Sequence, residues 1–199
     1  MTMTQRNGFS RQELEEVVER WLEANRAAER SGDWRPLANF FTDEATYGWN
    51  IGPHEDVMCV GIDEIRDIAF GQEMEGLLGW RYPYQRVLID DKLGEVVGFW
   101  KQVATDTTGT DHEIYGLGGS WFGYAGDGKW NWQRDFFDFG HVTDLYLNLL
   151  ESGNVTREFA ERVAKNTTGQ RLPGWYPLGQ APAPIWPPST RAHVNDPLT

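Results

Sequence analysis

The segment Trp130-Asn131-Trp132-Gln133-Arg134-Asp135-Phe136-Phe137-Asp138-Phe139 is rich in aromatic residues and also carries an arginine and two aspartates. Because side chains alternate between the two faces of a β-strand, the segment predicts a strand with two different faces. One face takes Trp130, Trp132, Arg134, Phe136 and Asp138, and the other takes Asn131, Gln133, Asp135, Phe137 and Phe139. This alternation separates Asp135 from Arg134 and places its carboxyl group beside Gln133 and Phe137.

Four elements and one loop are predicted over residues 10–75. Ser10 and Glu13 have the spacing of a capping box, and apolar residues at helical spacing continue to about residue 28. A short second helix is predicted over residues 34–41, a first strand over 45–51, a loop over 52–56 and a third helix over 62–75. The acidic residues of the third helix, Glu73 among them, are expected on its solvated face.

Three further strands are predicted over residues 82–89, 94–105 and 112–124, and polar turns rich in Asp or Gly separate them. Together with the strand over 130–139 they predict an antiparallel meander, because short turns join neighbouring strands. Helices that cover one face of a curved sheet of this kind give an α+β fold with a cone-shaped pocket between the two layers.

The chain changes character after Gly140. Two helices are predicted over residues 141–150 and 155–164. The Pro-rich stretch over 171–188 is expected to lack regular hydrogen-bonded structure, because proline has no N–H donor. We therefore divide the chain into a domain over residues 1–139 and a C-terminal extension over 140–199, which packs on the domain or on a partner subunit.

Charge and composition exclude several kinds of partner. The net charge of −12 argues against nucleic acid and anionic membranes, since both attract basic surfaces. The single cysteine, Cys59, excludes an internal disulfide and a cysteine metal cluster, and the four histidines lack metal-ligand spacing, so no metal or cofactor is expected. No apolar run approaches about 18 residues, and the N-terminus has no apolar signal segment, which makes a cytoplasmic protein the expectation.

The order of elements, with GDWRPLANFFTDEATY over residues 32–47 and WQRDFFD over 132–138, resembles the NTF2-like superfamily, and within it the SnoaL-like and limonene-epoxide-hydrolase-like branch. The resemblance extends over about residues 14–139. It implies an NTF2-like cone, in which N-terminal helices and a curved antiparallel sheet enclose a pocket. In epoxide hydrolases of this group the last strand carries a similar run whose first Asp is catalytic, and that position falls on Asp135.

The resemblance also shows where the chain departs from the epoxide hydrolases. That family uses an Asp-Arg-Asp set, and its Arg and second Asp fall here on Trp100 and Gln102. Its water-holding Tyr is matched by Tyr47, whereas the companion Asn is replaced by Trp49. The resemblance therefore implies a retained pocket with one acid and without the partners that epoxide hydrolysis needs.

The candidate site combines these matches with the alternation of the strands. Asp135 is expected to transfer a proton, and Tyr47 and Gln102 to orient the substrate or polarise one of its oxygens. The expected substrate-binding residues are Trp49, Trp100, His54, Gln133, Phe137 and Gly118. Each residue also has a structural alternative. Asp135 could pair with Arg134, Arg81 or a backbone amide and only stabilise the sheet, and Tyr47 and the tryptophans could be core residues. His54 could be a solvated loop residue, and Gly118 could serve the twist of its strand.

These residues favour a cofactor-independent acid/base enzyme that acts on a small apolar molecule, polycyclic and steroid- or terpenoid-like. The reaction would be of the isomerase, dehydratase, cyclase or hydrolase type. The alternative is a non-catalytic small-molecule-binding or accessory protein of the same fold.

Four rings, those of Trp121, Trp130, Trp132 and Phe136, are predicted on the sheet face that points away from the helices. So broad an aromatic surface is unusual on a soluble monomer. Proteins of the NTF2-like superfamily commonly dimerise through this face, so a homodimer is expected. The other possibility is that the C-terminal helices and the Pro-rich tail cover the same face.

Overall fold

A curved seven-stranded sheet, covered on one face by a long N-terminal helix, forms the centre of the computed structural model, which describes residues 8–169 and 171–187. The helices are α1 (Arg11–Ser31), α2 (Ile62–Glu64), α3 (Phe139–Ser152) and α4 (Arg157–Thr167), with 3₁₀ turns at Arg35–Phe40 and Gln72–Met74 and a π turn at Ile65–Ala69. The strands are β1 (Phe41–Asn50), β2 (Glu55–Val60), β3 (Trp80–Arg81), β4 (Tyr84–Asp90), β5 (Glu95–Trp100), β6 (Val103–Thr105), β7 (Asp111–Glu113), β8 (Gly118–Gly126), β9 (Lys129–Phe137) and β10 (Trp175–Pro177).

Helix α1 begins and ends where its sequence predicts. The Ser10 hydroxyl accepts a hydrogen bond from the Glu13 N–H at 3.5 Å, and Gly32 ends the helix in the left-handed conformation that glycine adopts without strain. The buried face of α1 places Trp21 against the edges of Phe41 and Phe122. These ring contacts fix α1 across the sheet and close one side of the space between the two layers.

The strand order of the large sheet is β10-β2-β1-β9-β8-β5-β4, and the smaller sheet has the order β3-β6-β7. The pairs along β4-β5-β8-β9 are antiparallel, so the predicted meander and the α+β fold are confirmed. One pair, β1 with β9, is parallel, and it aligns Tyr47 with Gln133 and Trp49 with Asp135. The first and last strands of the predicted cone therefore meet at its centre.

The strands predicted over residues 94–105 and 112–124 are each divided between the two sheets, and two segments that were not predicted as strands form strands. Strand β2 occupies Glu55–Val60, which overlaps the predicted loop, and strand β10 forms in the Pro-rich stretch, where no strand was expected. The two unpredicted strands have one cause, because β10 pairs with β2 through Trp175–Val57, Tyr176–Asp56 and Pro177–Glu55. Proline is tolerated at the sheet edge that β10 forms, where one side of the strand needs no ladder partner.

Trp130 also lies on the opposite face from the one predicted. Tyr124 pairs with Trp130 and Gly123 pairs with Trp132, so Asn131 is an extra residue in β9 and forms a β-bulge. The bulge turns Trp130 into the core, where it is 0% exposed and packs against Phe122 and Tyr124 with ring centroids 4.8 and 5.6 Å apart. Simple alternation fails here because it assumes an unbroken pleat.

The C-terminal helices form a second apolar cluster with the smaller sheet. Its members are Leu77, Trp80, Ala104, Ile114, Val142, Leu149, Phe159 and Val163. Asp138 caps the N-terminus of α3 by accepting from the His141 N–H at 3.2 Å, and Thr156 caps α4 in the same way. Val142 and Tyr146 of α3 thereby reach the space under the sheet.

The outer sheet face is partly covered by the chain's own tail. The Trp132 Nε1–H donates to the Pro184 carbonyl at 3.3 Å, and Trp186 packs edge-on against Trp121. Phe136 on the same face keeps 37% of its surface exposed. The homodimer through this face stays a prediction. Within the described part of the chain, every helix is too short or too polar to cross a membrane.

Candidate functional site

A cavity of about 130 Å³ lies between α1, the large sheet and the C-terminal helices. A cavity of about 150 Å³ is known to hold one benzene molecule, so this space suits a ligand with about one ring. Its walls are largely aromatic and include Trp21, Trp34, Trp49, Phe70, Tyr82, Tyr84, Trp100 and Phe137. Its polar residues form two groups, one around Asp135 and one around Arg162.

Asp135 lies on the cavity wall with both carboxyl oxygens hydrogen-bonded. Its Oδ2 accepts from the Tyr47 hydroxyl at 2.6 Å, and its Oδ1 accepts from Gln133 Nε2 at 2.7 Å. The parallel pairing of β1 with β9 brings Tyr47 beside Gln133, and alternation along β9 puts Gln133 and Asp135 on one face. Three of the predicted site residues, Tyr47, Gln133 and Asp135, therefore meet at the cavity wall.

The surroundings of Asp135 favour its protonated form. Burial raises the pKa of Asp135 above its ordinary value, and hydrogen bonds from Tyr47, Gln133 and Ser120 oppose this rise without cancelling it. The pKa of Tyr47 is also raised well above its ordinary value, first by burial and then by the neighbouring Asp135 charge. Tyr47 therefore remains a hydrogen-bond donor throughout the range in which Asp135 titrates.

The arginines that sequence analysis considered as partners of Asp135 form other ion pairs. Arg134 pairs with Asp56 and donates to the Tyr176 hydroxyl at 3.3 Å, on the side of the sheet that carries β10. Arg81 pairs with Asp111 at 2.6 Å. The hydrogen bonds to Asp135 therefore come from neutral groups, and Arg134 lowers the pKa of Asp135 only as a nearby charge, by less than burial raises it.

Gln133 also carries a hydrogen-bond acceptor, its side-chain oxygen Oε1, that is unpaired within the described part of the chain. The side chain is 2% exposed and lines the cavity, and its Oε1 has no hydrogen-bond partner among the described residues. A buried carbonyl oxygen without a partner costs about 1–3 kcal/mol, so such an atom marks a place where a ligand N–H or O–H would be stabilised. This acceptor lies on the same residue that donates to Asp135.

Ser120 and Tyr84 belong to the site, although sequence analysis did not select them. The Ser120 hydroxyl accepts from Trp100 Nε1 at 2.9 Å and from the Tyr84 hydroxyl at 3.5 Å, and Trp21 Nε1 donates to that same tyrosine at 3.1 Å. Ser120 pairs with Asp135 across β8 and β9. The sequence could have indicated that Ser120 lies beside Asp135 only if the register between β8 and β9 had been known.

Gln102 lines the cavity from the connection between β5 and β6. Its side chain hydrogen-bonds to the partly buried Tyr82, whose pKa is raised by removal of its hydroxyl from water. Trp49, Trp100 and Phe137 lie on the cavity wall as the sequence predicted. Gln102 therefore shares the cavity with Asp135, while its described side-chain bond is to Tyr82.

Two expected substrate-binding residues lie outside the cavity lining. His54 is an exposed loop residue outside the cavity lining, and its backbone carbonyl accepts from the Leu178 N–H at 3.1 Å. A Cβ on Gly118 would lie 2.0 Å from Cζ3 of Trp100. The missing side chain of Gly118 thus makes room for the Trp100 ring, and not for a ligand as expected.

The variant Gly118→Ala should therefore lower the free energy of unfolding by about 1–3 kcal/mol, the usual cost of overpacking a core. Urea denaturation measures the change. In a Trp100→Ala background the same glycine substitution should cost almost nothing, because the ring that it meets is absent. An equal cost in both backgrounds would show that Gly118 has another role.

The second polar group lies where the C-terminal helices meet the cavity. Glu73 is 7% exposed, which corrects its expected place on a solvated helix face. Its Oε2 lies 3.5 Å from Nη2 of Arg162, and its Oε1 accepts from Trp175 Nε1 and Gln72 Nε2, each at 3.1 Å. Sequence reasoning missed Arg162 because only tertiary packing brings α4 to the cavity.

Comparison with known proteins defines the fold. No family model and no curated protein sequence matches the chain. A protein of Jannaschia sp., provisionally assigned as a SnoaL-like polyketide cyclase, has a similar fold, with 18% sequence identity, a TM-score of 0.50 and a match that covers 72% of this chain and 95% of that one. An NTF2-like protein of unknown function from Burkholderia pseudomallei has 12% identity and a TM-score of 0.51, over 67% of this chain and 96% of that one. An NTF2-like protein from Anabaena variabilis has 16% identity and a TM-score of 0.51, over 69% of this chain and 96% of that one. At these identities the likeness shows the fold alone, and it confirms the predicted NTF2-like α+β fold.

Proposed function

We propose that this chain, which has the NTF2-like fold, is a cofactor-independent acid/base enzyme that acts on a small apolar substrate. One observation carries the proposal: the Asp135 carboxyl group lies on the wall of an aromatic cavity and is held at 2.6 and 2.7 Å by two neutral donors, Tyr47 and Gln133. A carboxyl group whose pKa is raised by burial in such a place is suited to exchange protons with a substrate.

The proposed chemistry is a proton transfer between carbon and oxygen atoms of one substrate. Ionised Asp135 removes a proton from the substrate and becomes a neutral acid. Returning that proton to another atom completes an isomerisation, whereas giving it to a leaving hydroxyl group releases water and completes a dehydration. Gln133 Oε1 holds a substrate N–H or O–H, and the aromatic walls exclude bulk water.

The cavity volume narrows the proposed substrate. At about 130 Å³ the space suits a molecule with about one ring rather than a steroid or another polycyclic compound. The substrate class that fits best is therefore a monocyclic apolar molecule with at least one polar group.

A non-catalytic binding role is the second candidate function. The observation that favours it is the replacement of two members of the acid-Arg-acid set by Trp100 and Gln102, both of which lie on the cavity wall. In that case Asp135 would hold a ligand donor without exchanging a proton. An assay of proton exchange separates the two candidates.

The experiment incubates the protein in D₂O with single-ring carbonyl compounds, namely cyclohexanone, 2-cyclohexenone and phenylacetone, and follows deuterium incorporation by ¹H NMR. We expect accelerated exchange on at least one compound, with a rate that rises as Asp135 ionises. No acceleration on any of them would favour the binding role.

In the Tyr47→Phe variant, the midpoint of this pH–rate profile should move to higher pH. The hydrogen bond from Tyr47 lowers the pKa of Asp135, so its loss leaves burial less opposed and raises the pKa further. A midpoint that stays in place, or moves to lower pH, would contradict the assignment of the titrating group to Asp135.

A further inference from the structure

Arg162 reaches the cavity from the middle of α4, the second helix of the C-terminal extension. A close approach between α4 and the turn at Gly76 fixes its position, since a Cβ on Gly76 would lie 2.7 Å from the Glu158 carbonyl and 3.2 Å from Cβ of Arg162. The guanidinium is held by the Glu75 carbonyl, which accepts from Nη1 at 3.2 Å, and by a hydrogen bond with Tyr146. The arginine is therefore oriented before any ligand arrives.

The guanidinium of Arg162 keeps an unused donor. Its Nε is buried and has no hydrogen-bond partner among the described residues. Its contact with Glu73 Oε2 is long, at 3.5 Å, compared with about 2.7–2.9 Å for a close charge-assisted hydrogen bond. Leaving a buried charged donor unpaired is costly, so the arrangement favours a further acceptor at this position.

Glu73 offsets the charge of Arg162 through one oxygen, Oε2, in the long contact described above. Two neutral donors, Trp175 Nε1 and Gln72 Nε2, already bond to its Oε1 at 3.1 Å. The pair of Glu73 and Arg162 lies on the wall shared by the inner cavity and a surface cleft of about 380 Å³. An anionic group can thus lie at Arg162 while the apolar part of the same molecule fills the inner cavity.

We propose that Arg162 is a carboxylate subsite, and that the ligand of this protein is a small aromatic or alicyclic carboxylic acid. The Nε and Nη2 atoms lie on one edge of the guanidinium and carry the two parallel N–H groups that a carboxylate accepts, and a small movement of the neighbouring side chains would open the buried Nε to it. A single carboxylate fits better than a phosphate dianion, because the described residues that line the cleft include one further cation, Lys165, and four glutamates that repel a second negative charge, namely Glu73, Glu75, Glu158 and Glu161. This inference rests on the proposed function for the location of the substrate, and it names the class of that substrate.

The test measures binding by isothermal titration calorimetry at pH 7. Three pairs of probes each match a carboxylate with its neutral amide, and the pairs differ in the distance between the ring and the polar group. They are benzoate and benzamide, phenylacetate and phenylacetamide, and 3-phenylpropionate and 3-phenylpropionamide. We expect at least one carboxylate to bind the wild-type chain about tenfold more tightly than its amide, which corresponds to one charge-assisted pair. Arg162→Gln should bring that ratio close to one.

Two further variants distinguish loss of the carboxylate site from loss of the folded structure. Arg11→Gln removes an exposed arginine of α1 that pairs with Glu15 outside both the cavity and the cleft, and it should leave the carboxylate preference unchanged. Glu73→Gln removes the competing negative charge and should strengthen carboxylate binding by about threefold, a gain that a damaged fold would not produce.

The proposal is overturned if no probe binds the wild-type chain, if carboxylates and amides bind equally, or if the preference survives Arg162→Gln. These outcomes do not depend on deuterium exchange. A chain that prefers carboxylates through Arg162 but exchanges no deuterium would retain the subsite and lose the acid/base function. The reverse result would retain the function and lose the subsite.

Discussion

Replacing Asp135 with asparagine should slow proton exchange on a responsive substrate by about 10²–10⁴-fold, the usual contribution of a general acid/base. The amide removes the titratable proton while keeping the size and much of the hydrogen bonding of the carboxyl group. Its oxygen still accepts from Tyr47, and its N–H finds an acceptor if the Gln133 amide turns over, because Gln133 Oε1 is unpartnered. The loss is therefore expected in the rate and not in ligand binding.

The matched control is Asp138→Asn. Asp138 is exposed, lies three residues further along and caps α3, and asparagine is an equally good N-cap residue. Its exchange rate should equal that of the wild-type chain. If Asp135→Asn exchanges deuterium as fast as this control, the assignment of Asp135 as the proton-transfer group is wrong.

The stability of Asp135→Asn gives an independent check. Because the pKa of Asp135 is raised in the folded state, the folded chain binds its proton more tightly than the unfolded chain does. The wild-type protein therefore loses stability as the pH rises from the unfolded pKa through the folded pKa, and the variant has no such loss from this group. The difference in favour of the variant should grow over that range and then become constant, as urea denaturation at a series of pH values would show.

Trp130→Ala should lower the free energy of unfolding by about 3 kcal/mol or more, the lower end of the range for removing a large buried aromatic side chain. Trp130 is 0% exposed and packs against Phe122 and Tyr124. The lower end applies because its indole N–H has no partner among the described residues, so its removal also relieves one buried donor. For a chain of this length the thermal midpoint should fall by about 10 °C.

The comparison for this prediction is Phe136→Ala on the same strand. Phe136 is 37% exposed on the outer face, so its removal should cost about 1 kcal/mol. Without the bulge at Asn131, Trp130 would share that outer face, and the two substitutions would cost similar amounts. Equal losses by urea denaturation would therefore contradict the inward position of Trp130.

Much of the fold could be predicted from local signals in the sequence. The cap at Ser10, the glycine that ends α1 and the turns between the later strands all act within a few residues, so the long helix and the meander could be predicted from the sequence. The strand β10 could not be predicted in this way. A short edge strand with a proline has little propensity of its own, and it forms because the exposed edge of β2 supplies a partner far away in the sequence.

The residues of the candidate site were likewise predicted only in part from the sequence. Alternation along β9 placed Gln133 and Asp135 on one face, and the structure puts both on the cavity wall. The resemblance to NTF2-like proteins added Tyr47, whose position depends on the parallel pairing of β1 with β9. Gly118 was misjudged because the sequence does not tell whether a ring or a ligand fills the space above a glycine.

By itself, the sequence determined the α+β fold, the aromatic pocket and the carboxyl group at Asp135, because hydrophobic period and strand alternation act locally. Only the tertiary structure decided which face Trp130 takes, what fills the space over Gly118, and that Arg162 of the C-terminal extension joins Glu73 at the cavity. These depend on a bulge, on ring packing and on the docking of a helix. Each brings together residues that are distant in the sequence, or breaks the regular period that the sequence displays.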